Sequence, residues 1–323
     1  MAFDIIIQVD GASDDELIAG AATVEVCERI GEPTTYQLEF ALTDKDGDFP
    51  YLVDARLGAG SELTIATSVD DQFDVLCKGQ VYGQRLYLEH NVTDSRLPVL
   101  GGDKTFEMDR TIVKKVWTGV KVSDAISSIL SPYVDSATVD PIATKYDDKS
   151  RELVQVVQRP ALDGDPVATL KINAATDTNI DAIEIEWDVE RPAVVTGDQL
   201  PLRGKDAFAG DLDRSPLTPL GSLAFFDIAT NRKQLRVVAP LDDAGDFTPR
   251  SEAALIEGAW FTRAKGRAAV RVLKAVLHTH TVIALTGAGT RHSGKYVVSA
   301  VRHVIDAENH TMHFELIRNA WEA

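Results

Sequence analysis

A glycine-bounded segment near the carboxyl end of the sequence carries most of the residues of a phosphate-binding loop. Residues 289–295, GTRHSGK, fit the pattern G-x-x-x-x-G-K, in which backbone amides and a lysine surround nucleotide phosphates. The next residue is Tyr296, where Ser or Thr would hold the magnesium ion, and an alternating strand pattern follows where a helix is required. The segment therefore predicts a turn entering a strand rather than a nucleotide site.

Histidines are the second group of residues that could do chemistry. Six of the seven lie late in the sequence: His278, His280, His292, His303, His310 and His313. The His-x-His pair at 278–280 would place two imidazoles on one face of a strand, an arrangement that suits zinc. No cysteine or glutamate stands at ligand spacing, however, and H-E-x-x-H does not occur. We therefore expect histidines on strand surfaces and no metal site.

Acidic clusters give no stronger signal. Residues 44–48, DKDGD, resemble the start of a calcium-binding loop, but the glycine is fourth instead of sixth, and Ala55 stands at the twelfth position, which needs a glutamate. We predict a hairpin turn there, and a solvated loop at Asp14 and Asp15. G-x-S-x-G, C-x-x-C and G-x-G-x-x-G do not occur. The sequence thus predicts no catalytic, cofactor-binding or metal-binding residue, no cofactor, and no enzymatic activity.

Composition and charge limit the possible partners. Of 323 residues, 44% are hydrophobic and 26% charged, as in globular proteins, and the net charge of −17 disfavours nucleic acid and anionic membrane surfaces. No apolar run approaches the ~18 residues of a membrane helix, and no signal peptide is visible. We therefore expect a cytoplasmic protein without direct nucleic-acid recognition or membrane insertion.

The charge is distributed unevenly along the chain. Residues 1–250 carry 24 basic and 44 acidic side chains, whereas residues 251–323 carry 9 basic and 6 acidic ones. Opposite charge at the two ends would favour head-to-tail pairing of copies. Different local surfaces explain the asymmetry equally well.

Period-two patterning dominates the first hundred residues and predicts antiparallel strands. The strand-like runs are 3–9, 35–42 and 75–81, and the turn clusters between them are 44–48, 58–60 and 69–71. Cys27 and Cys77 lie in such runs, where we expect reduced, half-buried side chains. A disulfide between neighbouring strands is the alternative.

The later elements are less regular. We predict a helix that Ser123 caps and Pro132 ends, and a second helix capped by Ser251 with an apolar stripe of Leu255, Ile256, Ala259 and Trp260. The remaining predictions are strands at 152–157 and 183–189, turns at 163–166 and 196–198, an exposed loop at 201–219, and hairpins of 223–228 with 234–238 and of 296–305 with 311–317.

These elements together predict a mainly β fold with minor α. We expect two antiparallel β-barrel domains joined by an α+β connecting region. The first barrel would occupy residues 1–110, the connector with its exposed loop 111–220, and the second barrel, with one helix, 221–323.

Five segments resemble base-plate hub proteins of contractile phage tails and contractile injection systems, including the first half of VgrG spike proteins (the late-control D group). They are 294–303 and 314–319 near the carboxyl end, and 58–65, 78–83 and 102–110 near the amino end. The resemblance covers roughly the first 130 and last 75 residues. A helix typical of the family's mid-chain, with an aspartate before Phe-Leu and Arg-Leu, is missing.

The resemblance implies a structural role. Hubs of this family are homotrimers whose six barrels form a ring between a sixfold inner tube and a threefold spike. The expected partners are therefore copies of this chain, an inner-tube protein, a spike protein and other base-plate components within a phage tail or injection particle. VgrG chains continue into a spike, so here we expect the spike to be a separate polypeptide. The alternatives are a carbohydrate- or protein-binding β module and an all-β hydrolase with an unrecognised site.

Overall fold

The computed structural model describes the greater part of the chain. The described residues are 4–43, 48–69, 72–90, 94–110, 115, 119–133, 139, 162–199, 208–229, 232–237 and 244–323. They form a mainly β protein with few helices, as the sequence predicts. Internal contacts divide the chain into two compact units, Met1–Val156 with His303–His310, and Val157–Arg302 with Thr311–Ala323. The division into barrels at 1–110 and 221–323 with a connector at 111–220 stays a prediction.

The first unit is an antiparallel sheet with short helices. Its elements before residue 157 are β1 (Asp4–Val9), β2 (Ala12–Ser13), α1 (Asp15–Gly20), β3 (Ala21–Arg29), β4 (Thr35–Ala41), β5 (Glu62–Val69), β6 (Gln72–Gln84), β7 (Arg96–Asp103), α2 (Thr105–Asp109) and α3 (Val122–Leu130). The strand order is β2-β1-β5-β6-β7-β4-β3, and every neighbouring pair is antiparallel. The strands predicted within 3–9, 35–42 and 75–81 are confirmed.

The core of this unit consists of side chains that alternate along the strands. In β3 and β4, Val24 lies opposite Leu38 and Val26 opposite Tyr36, and all four side chains are buried. Each such side chain contributes about 1.5–3 kcal/mol when removed from water. Helix α1 contacts both β1 and β3 and buries Leu17 completely. It thus packs on two strands that are not neighbours in the sheet order.

The helix predicted at Ser123 exists, but the predicted cap is wrong. Helix α3 begins at Val122, its N-cap is Lys121 with no side-chain cap hydrogen bond, and Ser123 lies inside its first turn. Ser123 is buried, and its carbonyl accepts a hydrogen bond from Ser127 Oγ at 2.9 Å. The helix ends before Pro132, as predicted, because proline cannot continue the backbone hydrogen bonding.

The second unit contains most of the remaining elements. They are β8 (Thr169–Lys171), β9 (Ala182–Trp187), β10 (Pro192–Gln199), β11 (Phe208–Leu212), β12 (Leu223–Ala224), α4 (Phe225–Ile228), β13 (Lys233–Val237), α5 (Ala244–Ala259), β14 (Thr262–Ala269), α6 (Val270–Leu273), β15 (Val282–Thr286), α7 (Gly289–His292), β16 (Gly294–Ile305), β17 (His310–Arg318) and β18 (Ala320–Trp321). The hairpin of β16 and β17 confirms the prediction for 296–305 and 311–317, and its tip, His303–His310, belongs to the first unit.

Within the described residues the strands of the second unit lie in three sheets. The largest has the order β9-β14-β17-β16-β15-β8, in which β8 is parallel to β15, while β9 and β14, β14 and β17, and β15 and β16 are antiparallel. The second sheet is β11-β10-β13, with β13 parallel to β10, and helix α5 contacts β10 and β11. The third is the antiparallel pair of β12 and β18.

Three sequence predictions for this unit are wrong. The predicted turn at 196–198 lies inside β10, where Gly197 faces Gly210 of β11, so the glycine marks a close strand approach instead of a turn. The predicted loop at 201–219 contains β11. The predicted hairpin of 223–228 with 234–238 does not form, because β12 pairs with β18, Phe225–Ile228 is helical, and β13 pairs with β10.

The second predicted helix has its apolar stripe where expected. Leu255, Ile256 and Ala259 are buried in α5, and Trp260 is buried just after its end. Ser251 is not the cap, because the helix begins at Ala244 and Ser251 lies in its middle, fully buried. The predicted strand at 152–157 and most of the predicted turns at 44–48 and 69–71 lie outside the described residues.

Candidate assembly surface

The segment that resembles a phosphate-binding loop is a structural turn. Helix α7 is a single turn, and β16 begins two residues later, so the predicted entry into a strand is confirmed. Tyr296 donates from its hydroxyl to the carbonyl of His292 at 2.8 Å, and Lys295 Nζ donates to the carbonyl of Gly164 at 3.1 Å. Lys295 is therefore engaged with the backbone of Gly164. The four-residue helix α7 is too short to provide the N-terminal phosphate site of a phosphate-binding loop.

His313 is exposed in β17, as predicted, but the other late histidines differ from the prediction. His278 and His280 lie in the turn before β15, with His280 at a φ of 64°, so they do not share a strand face. His303 and His310 are in strands but buried, with His303 Nδ1 3.0 Å from His310 Nε2 and His303 Nε2 3.5 Å from Glu28 Oε1. Burial, and secondarily the nearby His303, lowers the pKa of His310 to about 3. Among the described residues no group of three His, Cys, Asp or Glu side chains is arranged to hold a metal ion.

Asp14 is a structural residue, and its assignment to a solvated loop is wrong. Its Oδ1 accepts a hydrogen bond from the Leu17 amide at 3.1 Å and so caps helix α1. Arg56 reaches Asp14 at 2.8 Å, Glu16 at 2.9 Å and Asp54 at 2.6 Å. The hydrogen bonds from Arg56 lower the pKa of Asp54. Spacing alone could have suggested the cap, because an aspartate precedes the helix, but the arginine lies far away in sequence.

No disulfide joins the two cysteines, so the alternative of a disulfide is wrong. Cys77 is buried in β6, and burial raises the pKa of its thiol. Cys27 in β3 is partly buried. Both therefore occupy strand positions as small apolar side chains, as the sequence predicts.

A mostly apolar cavity of about 230 Å³ lies in the second unit. Its lining includes Leu217, Phe225, Leu255 and Asn319. The amide of Asn319 is engaged with the backbone, because Oδ1 accepts from the Leu220 amide at 2.8 Å and Nδ2 donates to the carbonyl of Thr218 at 3.0 Å. The lining also contains the polar residues Asp213, Arg214, Ser215 and Asp227.

An extension of the β6–β7 hairpin exposes large apolar side chains. Beyond β6, Tyr87 and Arg96 exchange backbone hydrogen bonds at 2.9 and 3.0 Å. Leu86, Tyr87 and Leu88 are all exposed, with 58% of Leu88 accessible. We call residues 86–88 the apolar arm. Three consecutive exposed apolar residues form a surface on which a partner can pack.

The second unit also has strands at sheet edges. Among the strands that the structure describes, β9 ends the largest sheet and β13 ends the second one. Four side chains of β13, from Lys233 to Arg236, are exposed. Exposed edges are surfaces on which another strand can add.

No helix in the described part of the chain is long and apolar enough to cross a membrane.

Solved structures of tail proteins share this fold over its whole length. A tail protein from Neisseria meningitidis MC58 is 14% identical with a TM-score of 0.69, covering 99% of this chain and 97% of its own. The 43 kDa tail protein of prophage MuSo2 from Shewanella oneidensis is 10% identical with a TM-score of 0.65, covering 98% and 99%. The E. coli c3393 protein, described as a component of the type VI secretion system, is 12% identical with a TM-score of 0.52, covering 98% and 77%.

Comparison of the sequence alone identifies no related protein. No protein-family model matches the chain, and no curated protein matches it. At 10–14% identity the structural likeness shows a shared fold. The chain therefore has the fold of phage tail proteins.

Proposed function

We propose that this protein is the structural base-plate hub of a contractile phage tail or a related injection machine. Three copies form a ring that adapts the sixfold inner tube to the threefold spike. The observation that carries the proposal is the likeness to tail proteins through 98–99% of this chain, since it includes both units. The hub-like segments near both ends of the sequence support the same conclusion.

The surface of the protein supports a role in assembly. The apolar arm and the edge strands β9 and β13 present side chains and backbone groups that a stable monomer normally covers. Association with copies of the chain, an inner-tube protein, a spike protein and other base-plate components would cover them. The isolated chain is expected to self-associate.

The contacts of two arginines support a structural role. In the first unit Arg56 contacts the carboxylates of Asp14 and Glu16 at the start of α1 and that of Asp54, two residues before it. In the second unit the fully buried Arg318 contacts three backbone carbonyls and Glu322. Both cations fix segments of chain, which is what a load-transmitting adaptor needs.

The oligomeric state of the purified chain tests the proposal. We expect a trimer of about three times 35.1 kDa in sedimentation velocity at micromolar concentration, and a ring with threefold symmetry in negatively stained micrographs. A monomer that persists as concentration rises, or a ring with another symmetry, would contradict the proposal. A cleavage assay with carbohydrate and ester substrates should show no turnover.

A further inference from the structure

The cavity of the second unit has an apolar interior. Among its described lining residues, Ala193 of β10, Phe225 of α4, and Leu255 and Ala259 of α5 are all buried. The cavity volume is about 230 Å³. Protein interiors contain few voids larger than a water molecule, because an unfilled space removes van der Waals contacts from the residues that line it. An apolar space of this size is therefore suited to an apolar group from outside the chain.

The segment that forms one wall of the cavity is fixed by hydrogen bonds. Leu217 and Pro219, which precede β12, line the cavity. Asn319 holds this segment, because its Oδ1 accepts from the Leu220 amide at 2.8 Å and its Nδ2 donates to the carbonyl of Thr218 at 3.0 Å. The cavity is thus preformed, which lowers the entropic cost of binding a ligand.

Asn319 also brings hydrogen-bonding capacity to the lining of the cavity. A primary amide offers two N–H donors and two acceptor lone pairs on its oxygen. The two contacts with the backbone use one donor and one lone pair, and Asn319 is only 4% exposed. A polar atom of a ligand that reaches this amide therefore forms a hydrogen bond with a group that is already removed from water.

The rings in the lining indicate the shape of the ligand. Pro192, Pro219, Phe225 and Phe226 all line the cavity. Rings present flat faces, on which another flat group packs with an offset, as Phe225 does on Phe261 with centroids 5.1 Å apart. An apolar cavity of about 150 Å³ is large enough for benzene. The larger cavity here therefore accommodates a bicyclic aromatic group such as an indole.

Charged side chains surround the mouth of the cavity and balance one another. Asp213, Arg214 and Asp227 line the cavity and are exposed. The guanidinium carbons of Arg214 and Arg232 lie 4.9 and 3.6 Å from the ring centroid of Phe226. These two carboxylates and two guanidiniums carry no net charge together, so they do not select an ion. The apolar interior disfavours a charged group as well, which indicates a neutral ligand.

We propose that this cavity is a binding site for a neutral bicyclic aromatic group of the size of an indole, with its polar atom hydrogen-bonded to the side-chain amide of Asn319. Such a group occurs in small molecules and in the tryptophan side chain of a partner, and the chemistry of recognition is the same in both. The described lining belongs to the second unit alone. The inference goes beyond the proposed function and does not depend on it.

Filling the cavity tests the site. Isothermal titration calorimetry on the full-length chain should show one indole bound per chain. Ala259→Leu, which enlarges a buried lining residue, should weaken this binding at least tenfold. Ala224→Leu, at a partly buried lining residue, is a second filling variant, and circular dichroism establishes that each variant folds. Ala182→Leu enlarges an exposed residue of β9 in the same unit and should leave indole binding unchanged.

Matched ligands test the hydrogen bond and the source of the aromatic group. Indene has the shape of indole without its N–H, so it should bind about fivefold more weakly. A crystal structure of the indole complex should place the indole nitrogen within about 3.2 Å of Asn319 Oδ1. N-acetyl-tryptophanamide carries the same ring on a peptide backbone. Binding of this probe assigns the site to a side chain of a partner, binding of indole alone assigns it to a small molecule, and either result supports the site.

The contrary outcomes are equally distinct. Absence of indole binding to the wild type, or equal binding to the wild type and a folded filling variant, would overturn the site. Equal affinities for indole and indene would overturn the hydrogen bond with Asn319. A wild-type chain that binds indole and stays monomeric would overturn the hub and leave this site standing.

Discussion

The guanidinium of Arg318 donates from Nη2 to Oε1 of Glu322 at 2.8 Å, although the arginine is fully buried and the glutamate is 38% exposed. The same guanidinium donates to the carbonyl of Ser293 at 2.9 Å and to that of Leu220 at 3.1 Å. One cation therefore joins the turn before β16, the segment before β12 and the last residues of the chain.

Arg318 should contribute more to stability than its ion pair suggests. Replacing Arg318→Met removes the donors from buried carbonyls and should lower the free energy of unfolding by about 3 kcal/mol. Glu322→Gln keeps the hydrogen-bond acceptor on a partly exposed side chain and should cost less than about 1 kcal/mol. Urea unfolding followed by tryptophan fluorescence measures the free energy of unfolding of both variants. An equal decrease in the two would show that the contacts of Arg318 with the backbone carbonyls do not contribute to stability.

Two glycines of β6 should differ sharply in their tolerance of a methyl group. A Cβ on Gly79 would stand 1.8 Å from the carbonyl oxygen of Gly102, whereas one on Gly83 would have its nearest neighbour, Leu100 Cδ1, at 3.9 Å. Gly79→Ala should therefore destabilise the first unit by about 3 kcal/mol or more, and Gly83→Ala by less than about 1 kcal/mol. Thermal unfolding of the matched pair checks this, and a tolerated Gly79→Ala would contradict the close approach of β6 and β7.

Acid should destabilise the protein through His310. Its pKa is about 3 in the folded state because of burial, against about 6.5 when unfolded, so the unfolded state binds more protons between these values. Neutral His310 therefore makes its full contribution to the free energy of unfolding above pH 6.5, and this contribution is lost as the pH falls towards 3. Between pH 7.5 and 5.5 the loss is about 1 kcal/mol.

Substitution isolates this effect from that of the carboxylates. His310→Gln should remove about 1 kcal/mol of the difference between the free energies of unfolding at pH 7.5 and pH 5.5. The exposed His90 serves as control, and His90→Gln should leave that difference unchanged. An identical pH dependence in wild type and His310→Gln would exclude the buried histidine as its source.

Salt should weaken the proposed trimer. Residues 1–250 carry a net charge of −20 and residues 251–323 one of +3, so contacts between copies that join the two parts are screened by ions. Raising sodium chloride from low to ~0.5 M should increase the trimer dissociation constant several-fold. Mass photometry of the dissociating trimer gives this constant. A dissociation constant that is independent of salt would show that charge complementarity does not stabilise the assembly.

The strands and the hairpin could be predicted because their signal is local. In β17, Met312, Phe314 and Leu316 alternate with more accessible residues, and the structure buries all three. A period of two follows from strand geometry alone. The same rule placed β4 and β6.

The predictions failed where a partner distant in sequence decides the conformation. Gly197 has the residue type of a turn, but pairing with β11 and β13 draws it into a strand. The segment from Leu223 resembles a hairpin strand, yet its partner is β18, almost a hundred residues away. Asp14 has the sequence context of a solvated acid, but in the structure it forms an ion pair with Arg56, which lies 42 residues later.

The amino-acid sequence by itself determined the mainly β class, the acidic character and the positions of the regular strands. These properties depend on composition and on neighbours within a few residues. Only the tertiary structure decided which strands end a sheet, which polar groups are buried, and that Lys265 of β14 lies between Glu315 of β17 and Glu184 of β9. Such properties depend on strand order, and strand order is set by contacts between residues far apart in the chain.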